Sequence, residues 1–427
     1  MMNTAPLLRT LRAEEVPSLR RAPFDAATLA AAEAIVLEVR ERGEPALRRL
    51  AERFDGLSPA APLLIGPEAL KAAAESLDTA DLAVLRAAAQ RIDRFARAQR
   101  EALRDFEIDA DVSGANLKLG QRVLPMKVAG CYAPGGRYPL PSSVLMTVIT
   151  ARAAGVKTVI LASPRPSTAT LAAAYVAGAD ALMPIGGAHA IAALAYGVGA
   201  PRSDAIVGPG NKWVTAAKHC VSADVAIDML AGPSEVVVLA DAEADPRLIA
   251  ADLLAQAEHD DDALAILVTD SNSLIAATNN ALARQLSDLP TASTARNALS
   301  RSFAVLTGSE AQSIDVCNAL APEHLEVVAR PESLDRLSAS LHAYGAIFIG
   351  AGAAEVLGDY GLGPNHTLPT GGTARFAAGL SVYNLLRART YIRCSVGTLP
   401  PLMRAELARF ARLEGLEAHA RSIEARD

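Results

Sequence analysis

What most constrains this chain is a rhythm. From Lys127 onward, short apolar runs of strand length alternate with helix-length runs, joined by Gly- and Pro-bearing turns. VAGCYAP, KTVILAS, ADALMPIG, SDAIVG and VAIDM read as buried strands, with SSVLMTVITARAAG, PSTATLAAAYVAG, GAHAIAALAYG and NKWVTAAKHCV as the helices between them. Strands separated by helical crossovers pair in parallel, with helices on both faces of the sheet. After Gly232 the rhythm restarts. EVVVLAD, ALAILVTD, SFAVLT, HLEVVA and AYGAIFIG alternate with further helical runs such as PRLIAADLLAQAEHD and SLIAATNNALARQLSD. The expected fold class is α/β: two similar Rossmann-like, doubly wound parallel domains facing across a cleft, the usual seat of a ligand.

The flanks read differently. Residues 1–25 form an arm. The segment 26–127 opens with helices of 3.6-residue periodicity, the last beginning at TADLAVLRAAAQ with Thr79 as its N-cap. We expect 26–127 to pack with 235–380 as a first α/β domain, 128–234 to be a second, and 381–427 to be a small, mostly helical tail. Such a tail is too small for a core of its own, so it docks on its own subunit or on a partner.

Composition narrows the chemistry. With 41 Lys+Arg against 47 Asp+Glu and a net charge of -6, no basic stripe is available for a phosphate backbone, so nucleic acid is not an expected partner. The beginning MMNTAPLLRTLRAEEV lacks an apolar core of signal-peptide length, and no run reaches the roughly 18 apolar residues of a membrane span. Cys131, Cys220, Cys317 and Cys394 lie too far apart for a metal knuckle, which fits a reducing, cytoplasmic setting. Any metal site must therefore come from His, Asp and Gln of distant segments.

Three segments supply such residues. In QAEHD, Gln256 and His259 share a helix face, and Glu258, His259, Asp260, Asp261 and Asp262 crowd a helix C-terminus where the macrodipole disfavours anions; the cluster invites a cation, although a solvated helix end is the plainer reading. APEHLE sets Glu323 beside His324 at the mouth of a strand, either as a base and a water-activating carboxylate or as an exposed Glu beside a packed His. GDYGLGPNHTLPTGGTARF is long and constrained for a mere connection, and its Asp359 and His366 suit a metal or a substrate, or else a solvated surface loop. The turns YAPGGRYPLPSS and GPGNKWV each open a helix where backbone amides meet a pyrophosphate in dinucleotide folds, with Ser142 or Ser143 and Asn211 as N-caps; neither is GxGxxG. AGPSEV, with Ser234, is not a nucleophile elbow.

Taken in order, CYAPGGRYPLPSSVLM, GPGNKWV, DMLAGPSEVVVLAD, DLLAQAEHD, LAPEHLEVV, GDYGLGPNHTLPTGGTARFAAGLSV and LEGLEAHA resemble the histidinol dehydrogenase family from about residue 26 to the end. The resemblance implies oxidation of L-histidinol through L-histidinaldehyde to L-histidine, with NAD and one zinc ion per subunit, in a homodimer with an exchanged tail. It implies zinc ligands Gln256, His259, Asp359 and His419, the last from the partner, and Glu323 and His324 as the acid/base pair. Ser234, Gln256, His259, His324, Asp359, His366, Glu414 and His419 would contact substrate, and Tyr132, His189 and Asn211 would contact NAD, on the side of 128–234. His189 departs from the family's usual Gln. A related zinc- and NAD-dependent dehydrogenase of another polar diol, such as a sulfonated one, is the alternative; Glu414 and His366 suit a cationic amino-alcohol better. A non-catalytic binding protein would have no use for the Glu323–His324 pair.

Overall fold

The computed structural model describes residues 6–19, 22–110, 117–135 and 139–426. Gly136, Arg137 and Tyr138 of the turn YAPGGRYPLPSS lie outside the described residues.

Both units of the rhythm fold into parallel sheets with one strand order. In the smaller sheet the order across is Ala181–Met183, Thr158–Ala162, Val128–Tyr132, Ala205–Val207, Ala226–Ile227, that is third, second, first, fourth, fifth in the chain. In the larger sheet it is Phe303–Leu306, Leu264–Thr269, Glu235–Ala240, His324–Val328, Ala346–Ile349, again third, second, first, fourth, fifth. Arg9–Arg12 from the amino-terminal arm adds a sixth parallel strand beside Phe303–Leu306. Strands Glu235–Ala240 and Leu264–Thr269 are buried at every position, the pattern of a sheet covered on both faces.

The helical segment does not pack where the sequence suggested. Helices Ala26–Arg42 and Glu44–Asp55 pack on Gly187–Tyr196 and Lys212–Val221, while Pro67–Ser76 and Thr79–Ala102 pack on Thr168–Ala177 and Pro141–Ala154. Val36, Leu47, Ile191 and Leu194 share one core across that junction. The segment thus covers the 128–234 half rather than 235–380. The reason lies in the covered helices: Pro141–Ala154 is buried on nearly all sides, and a helix apolar all round needs a second layer over it.

The tail also departs from expectation. It begins as a strand, Leu386–Arg393, paired antiparallel along its length with Lys118–Pro125, which pairs in turn with Phe106–Asp109. LRARTYIR carries Thr, Tyr and Ile, residues that favour a pleated surface. Helices Pro401–Leu413 and Glu417–Glu424 then fold back on each other around Ala408, Ala411 and Ala420.

Two of the expected caps shift by a residue or more. Asp78, not Thr79, accepts from Ala80 N at the start of its helix. The helix Pro141–Ala154 starts on Pro141, with no serine cap, because proline at the first turn needs no acceptor for its nitrogen. Asn211 caps Lys212–Val221 as expected, accepting from Trp213 N and Val214 N. Among the described residues no helix is long and apolar enough to cross a membrane.

Candidate active site

The larger sheet offers polar groups where its strands begin. Ser234 and Glu235 open the first strand, and Glu323 and His324 open its neighbour, in register with His324 opposite Val236. Ala321, just upstream, sits in the left-handed region at φ 46, a conformation that costs a non-glycine residue of order 1 kcal/mol and turns the chain sharply into Pro322 and Glu323. Glu323 Oε2 accepts from Ser234 Oγ and, at 2.9 Å, from Glu235 N. Loop geometry at the strand mouth thus buries both Glu323 and His324 in one place, rather than sending one of them to solvent.

His324 Nδ1 lies 3.3 Å from the Glu235 carbonyl, 3.8 Å from Glu323 Oε2 and 3.6 Å from Glu355 Oε2. A carbonyl only accepts, so Nδ1 carries the hydrogen and Nε2 keeps the lone pair. Burial lowers the His324 pKa to about 4, so the imidazole is neutral at ordinary pH and a weaker base than a solvated histidine. Burial also pushes Glu323 well above the usual carboxylate range, against the pull of Ser234 and the Glu235 amide.

The helix Pro246–Ala257 delivers Gln256 and His259 to the same edge, since it ends where the strand Leu264–Thr269 begins. Gln256 is fully buried, and neither its amide nitrogen nor its oxygen has a hydrogen-bond partner. His259 Nε2 lies 3.7 Å from Asp359 Oδ2, and that neighbouring carboxylate raises the His259 pKa against the opposing effect of burial. For Asp359, burial raises the pKa, but the nearby His259, His366 and His324 outweigh it and hold the carboxylate low. Among the described residues, His259, Glu355 and Asp359 form a group whose ligand atoms all lie within 4.8 Å of one another.

The other acids of QAEHDDD do not join them. Glu258 accepts from Thr291 Oγ1, Asp261 from Asn297, and Asp262 pairs with Arg301, so the crowding of carboxylates is largely resolved by neighbouring elements and only His259 turns to the cleft group.

The loop from Asp359 to His366 joins the halves. His366 Nδ1 lies 3.2 Å from the Asp359 carbonyl and 3.7 Å from its Oδ1, while Nε2 lies 3.3 Å from Ser143 Oγ on the helix Pro141–Ala154. Asn365 donates to Met146 O and Thr150 Oγ1 of that helix. Both nitrogens of His366 are therefore engaged by protein, and the residue props Asp359 from behind. Burial lowers its pKa.

Facing this edge, the smaller sheet offers the turns at its strand ends. Tyr132 closes the first strand, and its hydroxyl accepts from Gly187 N at 3.2 Å. The turn carrying Asn211 is pressed against the same strand end, where a Cβ on Gly208 would come 2.0 Å from the Tyr132 carbonyl; only glycine fits, and its φ of +123° agrees. Lys218 and Asp228, both buried, pin that turn: Lys218 Nζ donates to the Gly208 carbonyl at 2.6 Å and Asp228 accepts from Gly208 N at 2.7 Å. His189 is buried, hydrogen-bonded at 2.7 Å to Asp55 and stacked on Phe54, so one of its nitrogens is already used within the chain.

Glu414 and His419 lie on the tail hairpin, both exposed and outside the group formed by His259, Glu355 and Asp359. Glu355, Asp55, Lys218 and Asp228 were not singled out in the sequence. For Glu355 a signal existed: in AGAAEVLGD it stands one turn before Asp359, and the two are the only charged residues among small and apolar ones.

Two Rossmann-like halves, one offering nucleotide-type turns and the other a histidine and carboxylate centre, define an NAD-dependent oxidoreductase. The chain belongs to the histidinol dehydrogenase family, whose model matches residues 19–427. It is 46% identical over 400 residues to the histidinol dehydrogenase of Geobacillus kaustophilus, covering 92% of each chain, and 45% identical over 395 residues to that of Thermus thermophilus, covering 92% of this chain and 93% of that one. The crystal structure of histidinol dehydrogenase from Elizabethkingia anophelis superimposes with a TM-score of 0.91 at 29% identity, over 99% of both chains.

Proposed function

We propose that this protein oxidises L-histidinol through L-histidinaldehyde to L-histidine, the last step of histidine biosynthesis, with NAD as hydride acceptor and one zinc ion per subunit. The observation that carries the reading is the gathering of Glu323, His324, His259 and Asp359 at one sheet edge, where the helix bearing the buried, unpartnered Gln256 also ends.

The donors fit zinc. A buried amide with no hydrogen bond is costly, and Gln256 oxygen, His259 nitrogen and Asp359 oxygen are donors that zinc accepts. Zinc, when bound, supplies a Lewis-acid anchor for the imidazole and amine nitrogens of the substrate. The remaining work falls to the chain. His324, neutral and with Nε2 open, takes the alcohol proton as hydride passes to NAD, and takes the hydrate proton in the second oxidation. Between the oxidations, Glu323 in its ionised form takes a proton from water as the water oxygen bonds to the aldehyde carbon, and the His324 imidazolium gives its proton to the aldehyde oxygen, so that the hydrate forms and His324 is neutral again; the carboxyls near Nδ1 stabilise the imidazolium until then. Ser234 fixes the Glu323 carboxyl, and His366 fixes Asp359. Tyr132, Asn211 and His189 hold NAD from the opposite edge.

The working form is a homodimer. A tail hairpin whose apolar contacts are chiefly internal, with Leu402, Phe410 and Leu413 exposed, supports docking on a second subunit, which would bring the partner copies of Glu414 and His419 to the site. A cytoplasmic location suits this chemistry, because NAD and four unpaired cysteines belong to a reducing compartment.

Purified protein supplied with zinc, NAD and L-histidinol should form two NADH per histidine. Turnover of a sulfonated diol with no response to histidinol would replace this substrate with the alternative one.

A further inference from the structure

In the reading above Glu355 serves only as one of the carboxyls near His324 Nδ1, yet its side chain is held far more tightly than that role asks. It is 0% exposed, and neither carboxylate oxygen has a hydrogen-bond partner. Its backbone nitrogen donates to Glu326 Oε1 at 2.6 Å, and its backbone oxygen accepts from Asp359 N, so both sides of its main chain are held. Its carboxylate points to His324 Nδ1 at 3.6 Å and groups with His259 and Asp359 within 4.8 Å. A buried, unpartnered carboxyl next to Glu323, Glu326 and Asp359 is among the costliest arrangements a protein can keep, unless a cation belongs there.

We propose that Glu355 is a residue of the metal centre, adding a donor from inside the subunit to Gln256, His259 and Asp359. The proposal rests on the zinc reading above. It gives four donors within one chain while no substrate is bound, so a subunit can hold the metal before a partner's tail arrives, and Glu355 yields its place when the substrate nitrogens bind. The partner's contribution through His419 then tightens and reshapes a site that is already loaded. The nearness of Glu355 to His324 gives the same carboxylate a second contact, tying the position of the base to the state of the metal site.

The test measures metal directly. Wild type, Glu355→Gln, His259→Ala, His419→Ala and the double variant Glu355→Gln/His419→Ala are stripped with chelator, and zinc affinity is read by competition with a chromogenic chelator. Cobalt(II) absorption without substrate reports the donor set, and the melting temperature is followed with and without zinc. Glu355→Gln should weaken zinc binding by roughly tenfold to a hundredfold, the range for residues supporting a metal site, and alter the cobalt band. It should also keep or raise the metal-free melting temperature and shrink its rise on adding zinc, which a merely structural role would not do. His419→Ala should still hold one zinc per subunit, and the double variant should lose it. Should Glu355→Gln fail to fold, Glu355→Asp, one methylene shorter, should fold and bind zinc more weakly. Wild-type affinity and an unchanged cobalt spectrum in Glu355→Gln or Glu355→Asp, with zinc lost in His259→Ala, would overturn this proposal alone. Absence of zinc binding in wild type would overturn it together with the metal reading.

Discussion

The two sheets of this protein share a strand order and are used at opposite ends. In the smaller sheet the candidate nucleotide residues Tyr132, His189 and Asn211 follow the strands, at the carboxyl edge where ligands sit in open α/β sheets. In the larger sheet Ser234, Glu323 and His324 precede the strands, and Gln256 and His259 come from a helix end at that same amino edge. Asn365 and His366 lash the second edge onto the first sheet's helix. A duplicated fold thus does not carry a duplicated site. Strand order fixes where loops cluster, and the polar residues decide which cluster works.

That contrast makes separable predictions. The largest effect belongs to the amino edge: His324→Ala should lower turnover by roughly 10²- to 10⁴-fold, the span for a lost general base, while bound zinc measured by elemental analysis stays near normal. Loss of zinc instead would mean that His324 serves the metal. At the carboxyl edge, Asn211→Ala should raise the NAD KM by about tenfold, worth about 1.4 kcal/mol, and leave the histidinol KM in place. Equal changes in both constants in steady-state assays would erase the division of labour between the edges.

A third prediction concerns the sheet interior behind His324. Burial, then the neighbouring Asp252, raises Glu326 to about 8, whereas an unfolded Glu titrates near 4.3. Between those values the unfolded chain binds fewer protons than the folded one, so this residue makes stability fall as pH rises from about 4.3 to about 8, with no further loss above. Glu326→Gln keeps an acceptor for Glu355 N and removes the titration. Its melting temperature should match the parent near pH 4 and exceed it most near pH 8. A constant difference across that range would show that Glu326 does not titrate there.

The smallest effect is expected at His189. With one nitrogen held by Asp55 and the ring stacked on Phe54, His189→Gln should change the NAD KM by no more than about threefold, under 1 kcal/mol. A tenfold change in NAD titrations would give His189 a share in holding NAD as large as that of Asn211.

Much of this was legible in the sequence because it depends on local pattern. Periods of strand and helix length predicted the ten strands of the two units, and the polar residues of QAEHD, APEHLE and GDYGLGPNH stood out against apolar surroundings. What was not legible depends on partners far away in the chain. The covering of the 128–234 half by the first helices is decided by which helices remain apolar on their outer side, and Leu386–Arg393 becomes a strand because Lys118–Pro125 is there to pair with it. Asp55 and Lys218 acquire meaning only through His189 and Asp228. Glu355 likewise acquires meaning only through its burial beside His259 and Asp359.

The division between the edges is tested most directly by a crystal structure of the His324→Ala variant soaked with zinc, NAD and L-histidinol. The account predicts NAD along the Tyr132 and Asn211 edge of the smaller sheet, with histidinol between Gln256, His259 and Asp359 at the strand beginnings of the larger one. NAD and histidinol bound together on one edge, or histidinol away from Glu323, would contradict it.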